Sequence, residues 1–186
     1  MLRGYLHPVH LGIGFLLGIN LGMGYDESFL WLNGKHTSLL DGFMPHFTHV
    51  GQGVIISGLV VWLIARKDPA WALTCLITIL TLPLIVGLLK TQVFRDWDRP
   101  LKALEGVDIH YISLSIKSLS NFSFPSGHSA AAAASMVFLI RFFEIKLRRI
   151  AGFGLGILAL AAGYSRIYIG AHFPGDVAAG LFLGGL

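Results

Sequence analysis

The sequence predicts an all-α membrane protein: a six-transmembrane-helix bundle with an interfacial amphipathic helix and a long outer loop between helices 3 and 4. Three observations predict it. Only 13% of the 186 residues are charged and 54% are hydrophobic, whereas a soluble domain carries about 25% charged residues. Several apolar runs approach the roughly 20 residues that a helix needs to cross a bilayer. Basic residues gather in the short connections between those runs, as they do on the cytoplasmic side of a membrane. The length fits one domain, 1–186. A formal charge of +4 without a dense basic tract suits membrane flanks and excludes a nucleic-acid binder. The single cysteine, Cys75, lies in an apolar run, so no internal disulfide forms.

The first span covers about Val9 to Met23, a retained helix rather than a cleaved leader. Its Gly14, Gly18 and Gly22 recur every four residues, a spacing that lets helices approach closely in lipid. Tyr25 to His49 holds Asp26, Glu27, Asp41 and Lys35 and cannot span. Asn33-Gly34 is a turn signal. Leu39, Leu40, Phe43, Met44 and Phe47 then follow helical spacing and predict a short amphipathic helix at the interface. His46 and His49 could share one face of it, but two histidines without a third ligand do not make a metal site.

The second span covers about Gly53 to Ala65, starting a turn earlier to gain length. Arg66-Lys67-Asp68-Pro69 connects it to the third, about Ala70 to Leu89, where Pro83 predicts a kink. Thr91 to Phe124 is a long polar loop, ordered by Phe94, Trp97, Tyr111, Ile112 and Leu114 and including Lys117. The fourth span covers about Ser126 to Phe143. A basic connection, Arg141 to Arg149, with Lys146 and Arg148 against Glu144, leads to the fifth span, about Ile150 to Gly163. The segment Tyr164 to Phe173 follows, and a sixth span starts near Pro174 and is apparently truncated. Each side of the membrane holds seven Lys or Arg. Density in the short connections places those connections in the cytoplasm and the long loop outside.

Three polar clusters then fall at one depth on the outer face. They are Lys90 with Arg99-Pro100, Pro125-Ser126-Gly127-His128, and Ser165-Arg166 with His172 and Asp176. Charges at span ends are costly unless paired or useful. Lys90, Arg99 and Arg166 suit phosphate oxygens, the guanidinium forks offering paired bonds. Pro125 suits the first turn of a helix, with Ser126, Gly127 and His128 beside it. Free N–H groups at such a start favour an anion. Asp176 lies four residues after His172. With a helix starting near Pro174, its carboxylate reaches back to fix the imidazole tautomer, leaving His172 as nucleophile and His128 as acid. The clusters lie at span ends rather than at the midplane, which argues against a transporter.

Lys90…Arg99-Pro100, Pro125-Ser126-Gly127-His128 and Ser165-Arg166-x5-His172-x3-Asp176 resemble the three signatures of the type 2 phosphatidic acid phosphatase (PAP2) superfamily. These are integral-membrane lipid phosphatases that share their site with vanadium haloperoxidases. The first signature departs from the pattern. Eight residues separate Lys90 from Arg99 where the family usually has six, so the loop carries an insertion or Arg95 shares the role of Lys90. The resemblance implies a phosphohistidine on His172, oriented by Asp176, with His128 as the acid. Lys90, Arg99, Ser126, Gly127 and Arg166 hold the phosphate, and Asn121 and Ser165 supply outer bonds. It implies no cofactor and no metal. The substrate is a membrane amphiphile ending in a phosphate or diphosphate, such as phosphatidic acid, phosphatidylglycerol phosphate, undecaprenyl diphosphate or lipid A. The expected location is a bacterial inner membrane with the site on the periplasmic face. The alternative is a catalytically inactive protein that binds lipid phosphate.

Overall fold

The computed structural model describes residues 3–112, 121–140, 143 and 147–186. Among the described residues all regular structure is helical. Leu114 and Lys117 of the long loop, and Arg141, Glu144 and Lys146 of the second basic connection, lie outside them.

Helix α1 covers Arg3–Met23, α2 Tyr25–Asn33, α3 Ser38–Val50, α4 Val54–Ala65 and α5 Pro69–Leu88. A π-helical turn, Leu89–Val93, extends α5. Helix α6 is the single turn Pro100–Ala103; α7 covers Gly127–Leu139, α8 Arg148–Tyr168 and α9 Pro174–Gly185. The starts follow local chemistry. Thr37 Oγ1 accepts the Leu40 N–H at 3.3 Å to cap α3, and Asp68 with Pro69 at the first position opens α5. Pro125 precedes α7 rather than entering it, because Ser126 is the cap and its Oγ accepts the Ser129 N–H at 3.3 Å.

Among the described residues, three helical stretches are long and apolar enough to cross a membrane: Gly4–Met23, Pro69–Val93 and Arg149–Tyr168. The third of these runs well past Gly163, the expected end, and carries Ser165-Arg166 on its last turn. Helix α5 continues unbroken through Pro83. Helices α3 and α4 meet at a bend of 44° and qualify together as a fourth, broken span. The amphipathic helix expected at the interface is thus α3, and it meets the second span, α4, at that bend. Its Met44 is buried, with Leu40 and Phe47 packed beside it, against Tyr168, Ile169 and Ala171. That packing holds α3 on the loop where the third cluster sits.

The centre belongs to α7, α8 and α9. Ala130, Ala132, Ala133 and Ala134 of α7 are buried, as are Val177, Ala178 and Leu181 of α9. Small residues permit this closeness: a Cβ at Gly180 would lie 2.3 Å from the Ser126 carbonyl oxygen. Helix α1 packs along α8, and the Tyr5 hydroxyl donates to the Ala133 carbonyl at 3.0 Å. The glycines that make the α1–α8 contact are not the expected ones. Nothing lies within 4 Å of a Cβ built at Gly14, Gly18 or Gly22, whereas Gly12 meets Leu160 and Gly156 meets Pro8 and the Tyr5 carbonyl. The four-residue stripe faces outward, and close packing on α1 occurs on another face, at Gly12.

Buried Asn33 closes the outer side. Its Nδ2 donates to the carbonyls of His110, Ile167 and Tyr168, and its Oδ1 accepts the His110 N–H at 2.8 Å. The residue expected only as half of a turn thus clamps the long loop to the end of α8.

Candidate active site

The three clusters, distant in sequence, converge at the start of α9. Pro174 opens that helix, so Asp176 lies in its first turn and reaches back across the loop. Its Oδ2 lies 3.2 Å from His172 Nδ1 and accepts the Phe173 N–H at 3.1 Å. Both side chains are buried, His172 at 2% and Asp176 at 0% exposure. Arg99 Nη1 lies 3.4 Å from the other ring nitrogen, Nε2. A guanidinium only donates, so Nε2 is an acceptor and the ring proton belongs on Nδ1, facing Asp176. Burial, with Arg99 and Arg166 acting in the same direction and Asp176 opposing, pushes the His172 imidazole down to about 3. The ring is neutral at pH 7, with the Nε2 lone pair turned to the Arg99 guanidinium.

Arg99 is itself fixed. Its Nε donates to the Asn121 carbonyl at 3.1 Å and its Nη1 to the Ala171 carbonyl at 3.2 Å. Burial lowers its proton affinity, with Asp176 opposing, yet a guanidinium keeps its charge. Asn121 also accepts from Lys102 through Oδ1 at 3.0 Å, so it links Arg99 and Lys102. Lys90 leaves the π-helical turn and donates to the Phe122 carbonyl at 2.5 Å and the Ser123 carbonyl at 3.3 Å. A π turn takes up an extra residue within a helix, which suits the lengthened Lys90–Arg99 spacing. Arg95 stays exposed.

Arg166 is 6% exposed. One of its terminal nitrogens donates to Thr48 Oγ1 of α3, and its Nε has no partner. A buried cationic N–H without an acceptor is costly and is suited to an anion. The Ser165 hydroxyl turns back to the Ala162 carbonyl at 2.7 Å, so it makes no outer bond to the site. Ser126 serves structure more than expected. Its N–H donates to the Asp176 carbonyl at 3.0 Å and its Oγ accepts from Ser129 Oγ at 2.8 Å. The helix-start N–H groups that neither bond takes up are those of Gly127 and His128.

A cavity of about 570 Å³ reaches Gly127, His128 and Lys90 from between α4, α5 and α7. Apolar side chains, among them Ile56, Leu82 and Val86, line its membrane side. At the α3–α4 bend, Gly51 presses on the backbone of His128, and a Cβ there would lie 2.4 Å from the His128 carbonyl oxygen. Among the described residues no group of three His, Cys, Asp or Glu is placed to hold a metal ion, and His46 and His49 gain no third ligand.

Three residues of the site escaped the sequence. Thr48 orders Arg166, and Ser123 and Tyr25 donate to Asp176. Ser123 stands next to recognisable residues, but nothing in a lone serine marks it. Thr48 and Tyr25 reach the site only through packing of distant helices.

Known proteins resemble this chain in sequence and fold. The family model described as the PAP2 superfamily matches residues 71–186. A lipid A 4'-phosphatase of Bacteroides thetaiotaomicron is 29% identical over 84% of this chain and 70% of its own length. Undecaprenyl-diphosphatase BcrC of Bacillus subtilis is 32% identical over 76% of this chain and 68% of its own. Among solved structures, Aquifex aeolicus LpxE superposes with a TM-score of 0.67 at 29% identity, covering 87% of this chain and 90% of that one. The transmembrane PAP2-type phosphatidylglycerolphosphate phosphatase of Bacillus subtilis gives 0.68 at 26% identity, covering 100% and 92%. The chain is an integral membrane protein and belongs to the PAP2 superfamily.

Proposed function

We propose that this protein is a metal-independent lipid phosphatase that removes a terminal phosphate or diphosphate from a membrane amphiphile through a phosphohistidine on His172. The observation that carries the reading is the buried His172: Nδ1 faces Asp176, and the unprotonated Nε2 faces Arg99. A neutral imidazole so oriented is a nucleophile. The printed activities of the relatives, lipid A 4'-phosphatase, undecaprenyl-diphosphatase and phosphatidylglycerophosphatase B, support a lipid phosphate as substrate.

In the first step His172 Nε2 attacks phosphorus, an N–P bond forms and the P–O bond to the lipid breaks. His128 gives a proton to the departing oxygen. In the second step water attacks the phosphohistidine, His128 takes a proton back and the N–P bond breaks to release phosphate. Asp176 stabilises the imidazolium left between the steps. Lys90, Arg99, Arg166 with its unpartnered Nε, and the N–H groups of Gly127 and His128 neutralise the phosphoryl oxygens. Ser126 contributes as the cap that holds those N–H groups.

The lipid tail occupies the apolar cavity between α4, α5 and α7. We read six crossings: α1, the α3–α4 pair, α5, α7, α8 and α9. The centrally packed α7 and α9 supply the two that length alone does not establish. Basic short connections support a cytoplasmic side opposite the site, and hence a periplasmic active site in a bacterial inner membrane.

The test is phosphate release by the detergent-purified protein in EDTA. The panel holds phosphatidic acid, phosphatidylglycerol phosphate, undecaprenyl diphosphate, lipid A and a soluble phosphate ester. Release from at least one lipid is expected, with His172→Ala slower by about 1,000-fold or more, as for loss of a nucleophile. Full activity in His172→Ala overturns the phosphohistidine. Activity lost in EDTA and restored by a divalent ion overturns the metal-free step. No release by folded protein leaves lipid-phosphate binding without turnover.

A further inference from the structure

The side of Asp176 that faces away from His172 is not solvated. Its Oδ1 accepts the Tyr25 hydroxyl at 2.5 Å, while Oδ2 receives Ser123 Oγ at 2.5 Å besides Phe173 N–H and His172 Nδ1. We propose that Tyr25 is a positioning residue for the His172–Asp176 pair: its hydroxyl holds the outer carboxylate oxygen and so sets how strongly Asp176 draws on the His172 ring proton. The inference rests on the lipid-phosphatase reading above and adds to it a residue outside 71–186, the span matched by the family model.

Several features aim Tyr25 at this task. It is the first residue of α2, and Gly24 before it has φ +95, a turn conformation suited to glycine. The ring packs on Phe173 at 4.4 Å between centroids and meets Trp97 edge-on at 5.8 Å. Its edge passes over Gly175, where a Cβ would lie 3.1 Å from Tyr25 Cε2. The residue between Pro174 and Asp176 therefore has no side chain to keep the ring away. Burial first, then the Asp176 carboxylate, hold the Tyr25 phenol well above its ordinary range, so it stays a donor at any working pH.

The charged groups around the pair come from several elements. Arg99 and Arg166 act on His172, and Lys90 feels Asp176; Asp26 of α2 acts on Tyr25. His128 faces the same cations from α7. Against them Tyr25 and Ser123 are neutral donors. They spread the charge of Asp176 without adding a competing cation, which a short bond to an anion does well. Without the Tyr25 hydroxyl, the charge concentrates on Oδ1 and the pair takes up a proton at higher pH.

The test compares wild type, His172→Ala, Tyr25→Phe, Tyr25→Leu and a 2,3,5-trifluorotyrosine at position 25, a stronger donor of the same shape. The substrate is the lipid that wild type hydrolyses in the panel above, and kcat and KM are followed across pH. In Tyr25→Phe, kcat falls about 10-fold or more with KM within about two-fold, as expected for losing a bond to a charged group. The acidic limb of kcat against pH moves up. With trifluorotyrosine it moves down, which decides the matter even where Tyr25→Phe fails to fold. A limb that stays in place in all variants, whatever happens to kcat, reduces Tyr25 to packing and overturns the proposal. So does loss confined to Tyr25→Leu. Absence of His172-dependent release in wild type removes the underlying reading instead, and a normal wild type with unmoved variants removes only this inference.

Discussion

His172 shows how burial changes the acid–base behaviour of one side chain. Enclosed beside Arg99 and Arg166, it is held neutral down to about 3. The same burial has a cost for folding. A histidine whose folded value lies below its unfolded one binds fewer protons when folded, so stability is lost as pH falls. The contribution is fully present above the ordinary histidine range near 6.5 and disappears progressively toward about 3. His172→Gln removes it. Thermal melts at pH 7 and pH 4 in detergent are expected to show a smaller acid-induced drop in Tm for His172→Gln than for wild type. Equal drops would place the acid sensitivity elsewhere.

At the scale of elements, glycine decides which helices touch, and position rather than spacing decides which glycines matter. A Cβ at Gly156 would lie 2.6 Å from Pro8 Cγ and 2.8 Å from the Tyr5 carbonyl, whereas one at Gly14 meets nothing within 4 Å. Gly156→Ala is therefore expected to cost about 1–3 kcal/mol through overpacking. Gly14→Ala is expected to be neutral or to gain up to about 1 kcal/mol from helix propensity. Denaturation in mixed micelles measures both, and similar losses at the two sites would refute the assigned α1–α8 contact. Asn33 and the expected amphipathic helix α3 make the same point. Leu40, Met44 and Phe47 announced a helix with one apolar face, but the partner of that face, Tyr168 with Ile169 and Ala171, could not be read from spacing. Nor could the bend at Gly51 that sets the chain against His128.

Across the whole molecule, the apolar exterior and the buried polar cluster at one end are arranged as a bilayer requires. Leu21 of α1, Leu80 and Leu84 of α5, and Ile150 of α8 are exposed large apolar residues, and lipid rather than water suits such a surface. The charges of the site are gathered inside at one end, among α7, α8 and α9. The proposed orientation predicts a labelling pattern in a Cys75→Ser background. Lys35→Cys is expected to react with a membrane-impermeant maleimide in intact cells, and Lys67→Cys only after permeabilisation. The reverse pattern would invert the protein in the membrane.

The sequence by itself determined the helical membrane class, because a charge content of 13% and long apolar runs are properties of the chain that any packing must respect. It also marked the residues to which the proposed chemistry is assigned. Lys90, Arg99, His128, Arg166, His172 and Asp176 are polar at span ends, where polarity is costly without a purpose. The His172–Asp176 pairing was legible for a local reason: Pro174 opens a helix, and four residues bring the carboxylate back within 3.2 Å. Only the tertiary structure decided what depends on distant segments meeting. It made one bent element of α3 and α4 and ran α8 through Arg166. It turned the Gly14–Gly22 stripe outward, used the Ser126 N–H on the Asp176 carbonyl, and brought Thr48, Ser123 and Tyr25 to the site. Contacts between residues distant in the chain leave no periodic trace in sequence, since each partner is ordinary where it stands and acquires its role from the other.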